Sequence, residues 1–98
     1  MPIEQGAILK IEGLEGYYLV VSKDFFNKTE QAVLCPIVTD TFPDPLHLRI
    51  NTKDVKGIVM CEQLKMLDLR YRGYSKVTQL KYADIMEIAD AVQSIFDY

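Results

Sequence analysis

The hydrophobic period of this chain changes once, near Lys81, and that change limits the folds open to it. Before Lys81, residues 7–11, 17–22, 32–38, 46–50 and 56–61 form short runs rich in β-branched and aromatic side chains, separated by clusters of Gly, Pro, Asn and Asp. After it, Ile85, Ile88, Ala89, Val92, Ile95 and Phe96 recur at intervals of three and four, with Asp84, Glu87 and Asp90 off the stripe and no Gly or Pro between. The spacing predicts strands first and one amphipathic helix last. Such an order suits a mainly β architecture, a small closed or half-closed barrel of five to seven strands covered by a C-terminal helix. Residues 74–77 are a candidate sixth strand.

At 98 residues and 49% hydrophobic, the chain can build one core and bury roughly 65% of its unfolded surface, so a single domain spanning 1–98 is expected. Its net charge of −3 disfavours nucleic-acid binding through overall charge, and any such binding needs a local patch. Residues 65–76 supply one, with Lys65, Arg70, Arg72 and Lys76 against a single acid, Asp68. Cys35 and Cys61 stand singly inside apolar runs, without a paired cysteine or a neighbouring His, which points to buried thiols rather than a zinc site. No metal or other cofactor is expected. The opening MPIEQGAILK lacks a basic region followed by a long apolar stretch, and no run reaches the ~18 apolar residues of a membrane span, so a cytoplasmic protein without a membrane partner is expected.

The chemistry-bearing residues gather after one apolar run. Ile58, Val59, Met60 and Cys61 suit a strand covered on both faces, and Glu62 and Gln63 follow where it emerges. Lys65, Arg70 and Arg72 come next, which reads as three positive charges within one short connection. A carboxylate beside cations suits phosphodiester chemistry, in which a base takes a proton while fixed positive charge stabilises a pentavalent phosphate. The same pattern also describes a strand end with a solvated charge cluster. His47 and Arg49 alternate with Leu46, Leu48 and Ile50, so both project from the polar face of one strand, about 7 Å apart along it. They suit an acid and a phosphate clamp, or a plain solvated face. Tyr71 and Tyr74 lie among the cations, where they could stack on unpaired bases or serve only as strand and interface residues. Ser22, Asn27 and Lys28 mark a polar loop or simple turn after the second strand.

The segment GIVMCEQLKMLDLRYRG, residues 57–73, resembles the MazF/PemK toxins of toxin–antitoxin systems through Gly57, Val59, Cys61, Glu62, Gln63, Lys65, Leu67, Asp68, Arg72 and Gly73. Gln5-Gly6-Ala7-Ile8, Leu19-Val20-Val21-Ser22 with Phe26-Asn27-Lys28, and Leu34-Cys35-Pro36-Ile37 resemble the family's other segments, in the same order. This resemblance implies a barrel of the SH3-like, CcdB/MazF type and a homodimer whose groove binds single-stranded RNA. It also implies an antitoxin peptide as partner, and metal-independent endoribonuclease activity by attack of the ribose 2′-hydroxyl. Carried onto this sequence it gives Glu62 and Arg72 as candidate catalytic residues and Gln63, Lys65, Ser22 and Asn27 as candidate substrate-binding residues; the strand-face, charge and stacking readings above add His47 to the catalytic candidates and Arg70 and Tyr71 to the substrate-binding ones.

The chain also departs from the family's pattern. The long first loop that ends in Arg-Pro is shortened to residues 12–15, with Gly16-Tyr17 following. The threonine expected two positions after Pro36 is Val38, and Thr39 comes one residue late, which in a strand points it to the other face unless a bulge intervenes. Met60 stands where some members have arginine, and Glu62 keeps the acid one methylene longer. Losing one transition-state donor typically costs ~10²–10³ in rate. Three readings therefore stay open: an RNA-cleaving toxin with rearranged partners, a catalytically degenerate dimer that binds an antitoxin peptide or RNA, and a nucleic-acid-binding regulator working through residues 65–76.

Overall fold

The structure, a computed structural model, describes residues 3–96. Seven strands and two helices follow in the order β1 (Ala7–Ile11), β2 (Tyr17–Val20), α1 (Asp24–Asn27), β3 (Gln31–Val38), β4 (His47–Asn51), β5 (Lys56–Met60), β6 (Lys65–Asp68), β7 (Tyr74–Gln79) and α2 (Tyr82–Ser94). All pairings are antiparallel, along the path β4-β5-β3-β2-β1-β7. β3, eight residues long, divides one edge between two partners: Gln31–Leu34 with β6 and Ile37–Val38 with β5. With β4 and β7 as the ends of the path, the mainly β fold is a half-closed barrel.

β6 corrects the reading of Lys65, Arg70 and Arg72 as lying within one connection, whereas the candidate strand at 74–77 is present as part of β7. Leu67 packs into the core while Met66 pairs with Val33 on the β3 edge. The run Lys-Met-Leu-Asp contains no β-branched or aromatic residue, so local propensity hides the strand. The polar loop expected after β2 likewise contains a single helical turn, α1.

Alternation along the strands feeds two cores, one on each face of the sheet. Ile8, Leu19, Cys35, Ile37 and Val59 face one side, where Ile88 joins them and Ile85 and Val92 of α2 pack against them. Leu9, Val20 and Leu34, each adjacent in sequence to one of these, face the other side with Ile3, Ala32 and Leu69. Burial on both faces explains why these strands read as continuous apolar runs. The helical stripe is covered only in part: α2 ends at Ser94, and Ile95 and Phe96, just past it, are 40% and 63% exposed. Gly6, at φ +89°, lies under α2, and a Cβ there would run into Ile85.

Candidate active site

The β4–β5 hairpin decides where the polar residues meet. Its register pairs His47 with Met60, and Cys61 N–H donates to the Leu46 carbonyl at 2.9 Å, extending the ladder one step. The chain then turns, with Gln63 N–H donating to the Met60 carbonyl at 3.0 Å, and this turn brings Glu62 back beside His47. Glu62 Oε2 lies 2.5 Å from His47 Nε2. At the other end of the ring, Asp44 Oδ2 lies 2.8 Å from Nδ1.

Asp44 is itself fixed. Its Oδ1 accepts the Leu46 N–H at 2.8 Å, and its backbone exchanges hydrogen bonds with that of His47 at 3.0 and 3.1 Å. The imidazole, 19% exposed, is thus held between two carboxylates that are 35% (Glu62) and 48% (Asp44) exposed. Both ring nitrogens face acceptors, an arrangement that only the doubly protonated imidazolium satisfies as donor on both sides. The His47 pKa is accordingly raised above its ordinary 6.5, first by the hydrogen bond to Glu62 and then by the charge of Asp44, with partial burial acting the other way. Chemically, the cluster is a proton donor and a carboxylate acceptor in contact at the surface, as acid–base catalysis requires. The carboxylates grip opposite ends of the ring and do not converge on one point. Among the described residues, no group of three or more His, Cys, Asp or Glu is arranged to hold a metal ion.

Of the residues singled out in the sequence, the structure brings His47 and Glu62 together, keeps Gln63 next to them, and sets Arg70, Tyr71, Arg72, Ser22 and Asn27 apart from the pair. Gln63 is exposed in the turn beside Glu62, and Lys65 is exposed at the start of β6. β6 then runs four residues away from that turn, roughly 13 Å, so Tyr71 and Arg72 sit at its far end. The two are exposed in the β6–β7 turn. Arg70, at the same end, is held by Asp68, Nε donating to Oδ1 at 3.0 Å and Nη2 to Oδ2 at 2.7 Å. This pair lowers the Asp68 pKa and raises that of Arg70. Ser22 and Asn27 face inward: Ser22 Oγ–H donates to Asn27 Oδ1 at 2.5 Å, Asn27 Nδ2 donates to the Ser22 carbonyl at 3.0 Å, and Ser22 Oγ accepts from Val33 N–H at 3.0 Å. With Asn27 only 3% exposed, the pair is a latch closing the α1 turn against β3.

Cys35 and Cys61 are fully buried free thiols, with pKa values pushed up to about 12 and about 11, chiefly by burial. β3 pairs regularly through Val38↔Ile58 and ends there, so no bulge carries Thr39 into the Val38 position. Thr39 lines a cavity with Thr41, Arg49 and Lys56 instead. Asp44 escaped the sequence reading, although Asp two residues before Leu46 in the run Pro43-Asp44-Pro45 is a turn signal that could have placed it.

Residues 10–96 match the family described as "PemK-like, MazF-like toxin of type II toxin-antitoxin system". The chain belongs to this toxin family. Among solved structures, MazE–MazF (Form-I) from Deinococcus radiodurans superposes with a TM-score of 0.86 at 18% identity, covering 98% of this chain and 97% of that one. MazF alone (Form-I) from the same organism gives 0.81 at 18% identity, covering 98% and 97%. An endoribonuclease in complex with its cognate antitoxin from Mycobacterial species gives 0.82 at 18% identity, covering 96% and 94%. At such identities these likenesses show the fold, which is the MazF type expected from the resemblance. No curated protein matches the sequence. Among the described residues of this MazF-like chain, no helix is long and apolar enough to cross a membrane.

Proposed function

We propose that this toxin-family protein is an endoribonuclease that cleaves single-stranded RNA through the His47–Glu62 pair. The observation that supports it is the 2.5 Å contact between an imidazole nitrogen and a carboxylate at the exposed end of a core strand. Glu62 takes the proton from the ribose 2′-hydroxyl as its oxygen attacks the adjacent phosphorus. The P–O5′ bond breaks as the His47 imidazolium gives its Nε2 proton to the departing oxygen. The products are a 2′,3′-cyclic phosphate and a 5′-hydroxyl, with both protons accounted for. Asp44 holds Nδ1, so the proton given up is the one on Nε2, which in the free protein faces Glu62 and is released to the departing oxygen once substrate enters between them. No cofactor takes part.

The partners are a second copy of the chain and an antitoxin peptide. Structural relatives include complexes of MazF with MazE and of an endoribonuclease with its antitoxin, which supports the latter. Tyr82 and Met86, one turn apart and exposed on α2, together with the modest core of so small a barrel, support the former. Light scattering at micromolar concentration should give twice the chain mass. The setting proposed is the cytoplasm, where messenger RNA is met.

A second reading, a degenerate toxin that binds antitoxin or RNA without cutting, is favoured by the short loop after β1 and by Val38 in place of the family's threonine. Incubating the protein and its Glu62→Ala variant with a long single-stranded RNA in EDTA decides between them. Cuts made by the wild type and lost in the variant support the nuclease. Intact RNA with both proteins would leave the binding role.

A further inference from the structure

Where β3 stops pairing with β5, beyond Val38↔Ile58, the chain opens a cavity of about 280 Å³. Arg49 and Lys56 line it together with Thr39, Thr41 and Asn51. Gly57 helps shape it, since a Cβ there would sit 2.8 Å from the Val38 carbonyl oxygen and push the strands apart. The lining carries two cations, two hydroxyls and an amide, and no carboxylate. By contrast, the cavities beside Glu12 and beside Glu4 each carry a carboxylate in their walls. Neither Arg49 nor Lys56 makes an ion pair among the described residues, whereas Arg70 is held by Asp68 and Lys76 lies 4.0 Å from Glu4.

We propose that this cavity is a subsite for a backbone phosphate of single-stranded RNA, gripped by Arg49 and Lys56 and hydrogen-bonded by Thr39 and Thr41. The inference rests on the nuclease reading only for its position. Arg49 is two residues from His47 on the same strand face, about 7 Å along it, a separation comparable with that between successive phosphates of an extended strand. A strand whose scissile phosphate lies at His47 and Glu62 therefore places a neighbouring phosphate at Arg49. Guanidinium and ammonium groups without acidic partners are free to exchange water for phosphate oxygens. In a chain of net charge −3, this is a local positive site of the sort that nucleic-acid binding requires.

The test uses a fluorescent 2′-O-methyl RNA oligonucleotide, which cannot be cleaved because its attacking hydroxyl is blocked. Anisotropy is read across a salt series for the wild type and for Arg49→Met/Lys56→Met. Both side chains are exposed, so the variant should fold, and its melting curve checks this. Expected is at least tenfold weaker binding by the variant and a log K versus log salt slope shallower by about 0.7, the loss of one phosphate contact on a single strand. Equal affinity and slope in wild type and variant, or no binding by the wild type, would overturn the subsite. On the wild type alone, the Thr39 and Thr41 amide resonances should shift with the oligonucleotide at concentrations where inorganic phosphate leaves them unmoved. Equal response to free phosphate would overturn the assignment to RNA. Because the probe cannot be cut, binding without cleavage of ordinary RNA leaves the subsite standing and removes the nuclease, whereas cleavage with unchanged variant binding does the reverse.

Discussion

His47 Nε2 and Glu62 Oε2 lie 2.5 Å apart although the residues are fifteen positions apart in sequence, because the β4–β5 register pairs His47 with Met60 and the following turn folds Glu62 back. The contact ties the protonation of one residue to the position of the other, and Asp44 completes the arrangement from the opposite side of the ring.

The first expected outcome concerns pH. The folded His47 pKa lies above 6.5, so the stabilisation from its two carboxylates is fully present below that value and is lost as pH rises through the raised one. A ring-resonance titration should show the higher pKa, and a return towards 6.5 in Glu62→Gln. Denaturant midpoints should fall over the same interval on the alkaline side. A His47 pKa at or below 6.5 would count against the geometry.

Replacing Glu62 by Gln should reduce RNA cleavage by roughly 10²–10⁴, the usual worth of a positioned acid or base, while leaving the fold intact because the side chain is partly exposed. Gel assays on a long RNA, with circular dichroism as a folding check, measure both. Undiminished cleavage would remove Glu62 from the mechanism.

Asp44→Asn should keep the turn through its amide oxygen but remove the charge at Nδ1. Cleavage is expected to fall by up to about a hundredfold as the ring loses its fixed orientation. The pH profile should shift to lower pH in parallel with the His47 pKa. A rate loss without that shift would indicate a merely structural part for Asp44.

Asn27→Ala should cost about 1–3 kcal/mol, because it removes a buried amide and leaves the partly buried Ser22 hydroxyl and carbonyl without the partner that Asn27 supplies. Urea unfolding reads the loss, and cleavage per folded molecule should not change. A selective loss of RNA binding in a stable variant would return Asn27 to the substrate groove.

Cys35 and Cys61, with pKa values near 12 and 11, should react with a thiol reagent at pH 8 only as fast as the core opens. Labelling should accelerate sharply in denaturant. Rapid labelling of the native protein would contradict their burial.

Much of the architecture was legible in the residues because it is written at short range. The alternation of 7–11, the apolar run from Ile58 and the stripe from Ile85 to Val92 each record which side of a local element faces the interior. β6 was not legible, since Lys65–Asp68 becomes a strand through the edge that the long β3 offers it rather than by its own propensity. The missing strand also explains why Lys65, Arg70 and Arg72 read as one cluster although β6 separates Lys65 from the other two.

By itself, then, the sequence determined six of the seven strands, the C-terminal helix, the two buried thiols and the family, and it offered Glu62, Arg72 and His47 only as separate candidates. Tertiary structure alone decided which side chains meet. It joined His47 to Asp44 and Glu62, committed Arg70 to Asp68, turned Ser22 and Asn27 inward, and left Arg49 and Lys56, beside Thr39, without an acidic partner among the described residues. The physical reason is range. Hydrophobic periodicity is a property of neighbouring residues, whereas a hydrogen-bond partner depends on strand register and turn geometry, where a shift of one residue sends the same side chain to the opposite face.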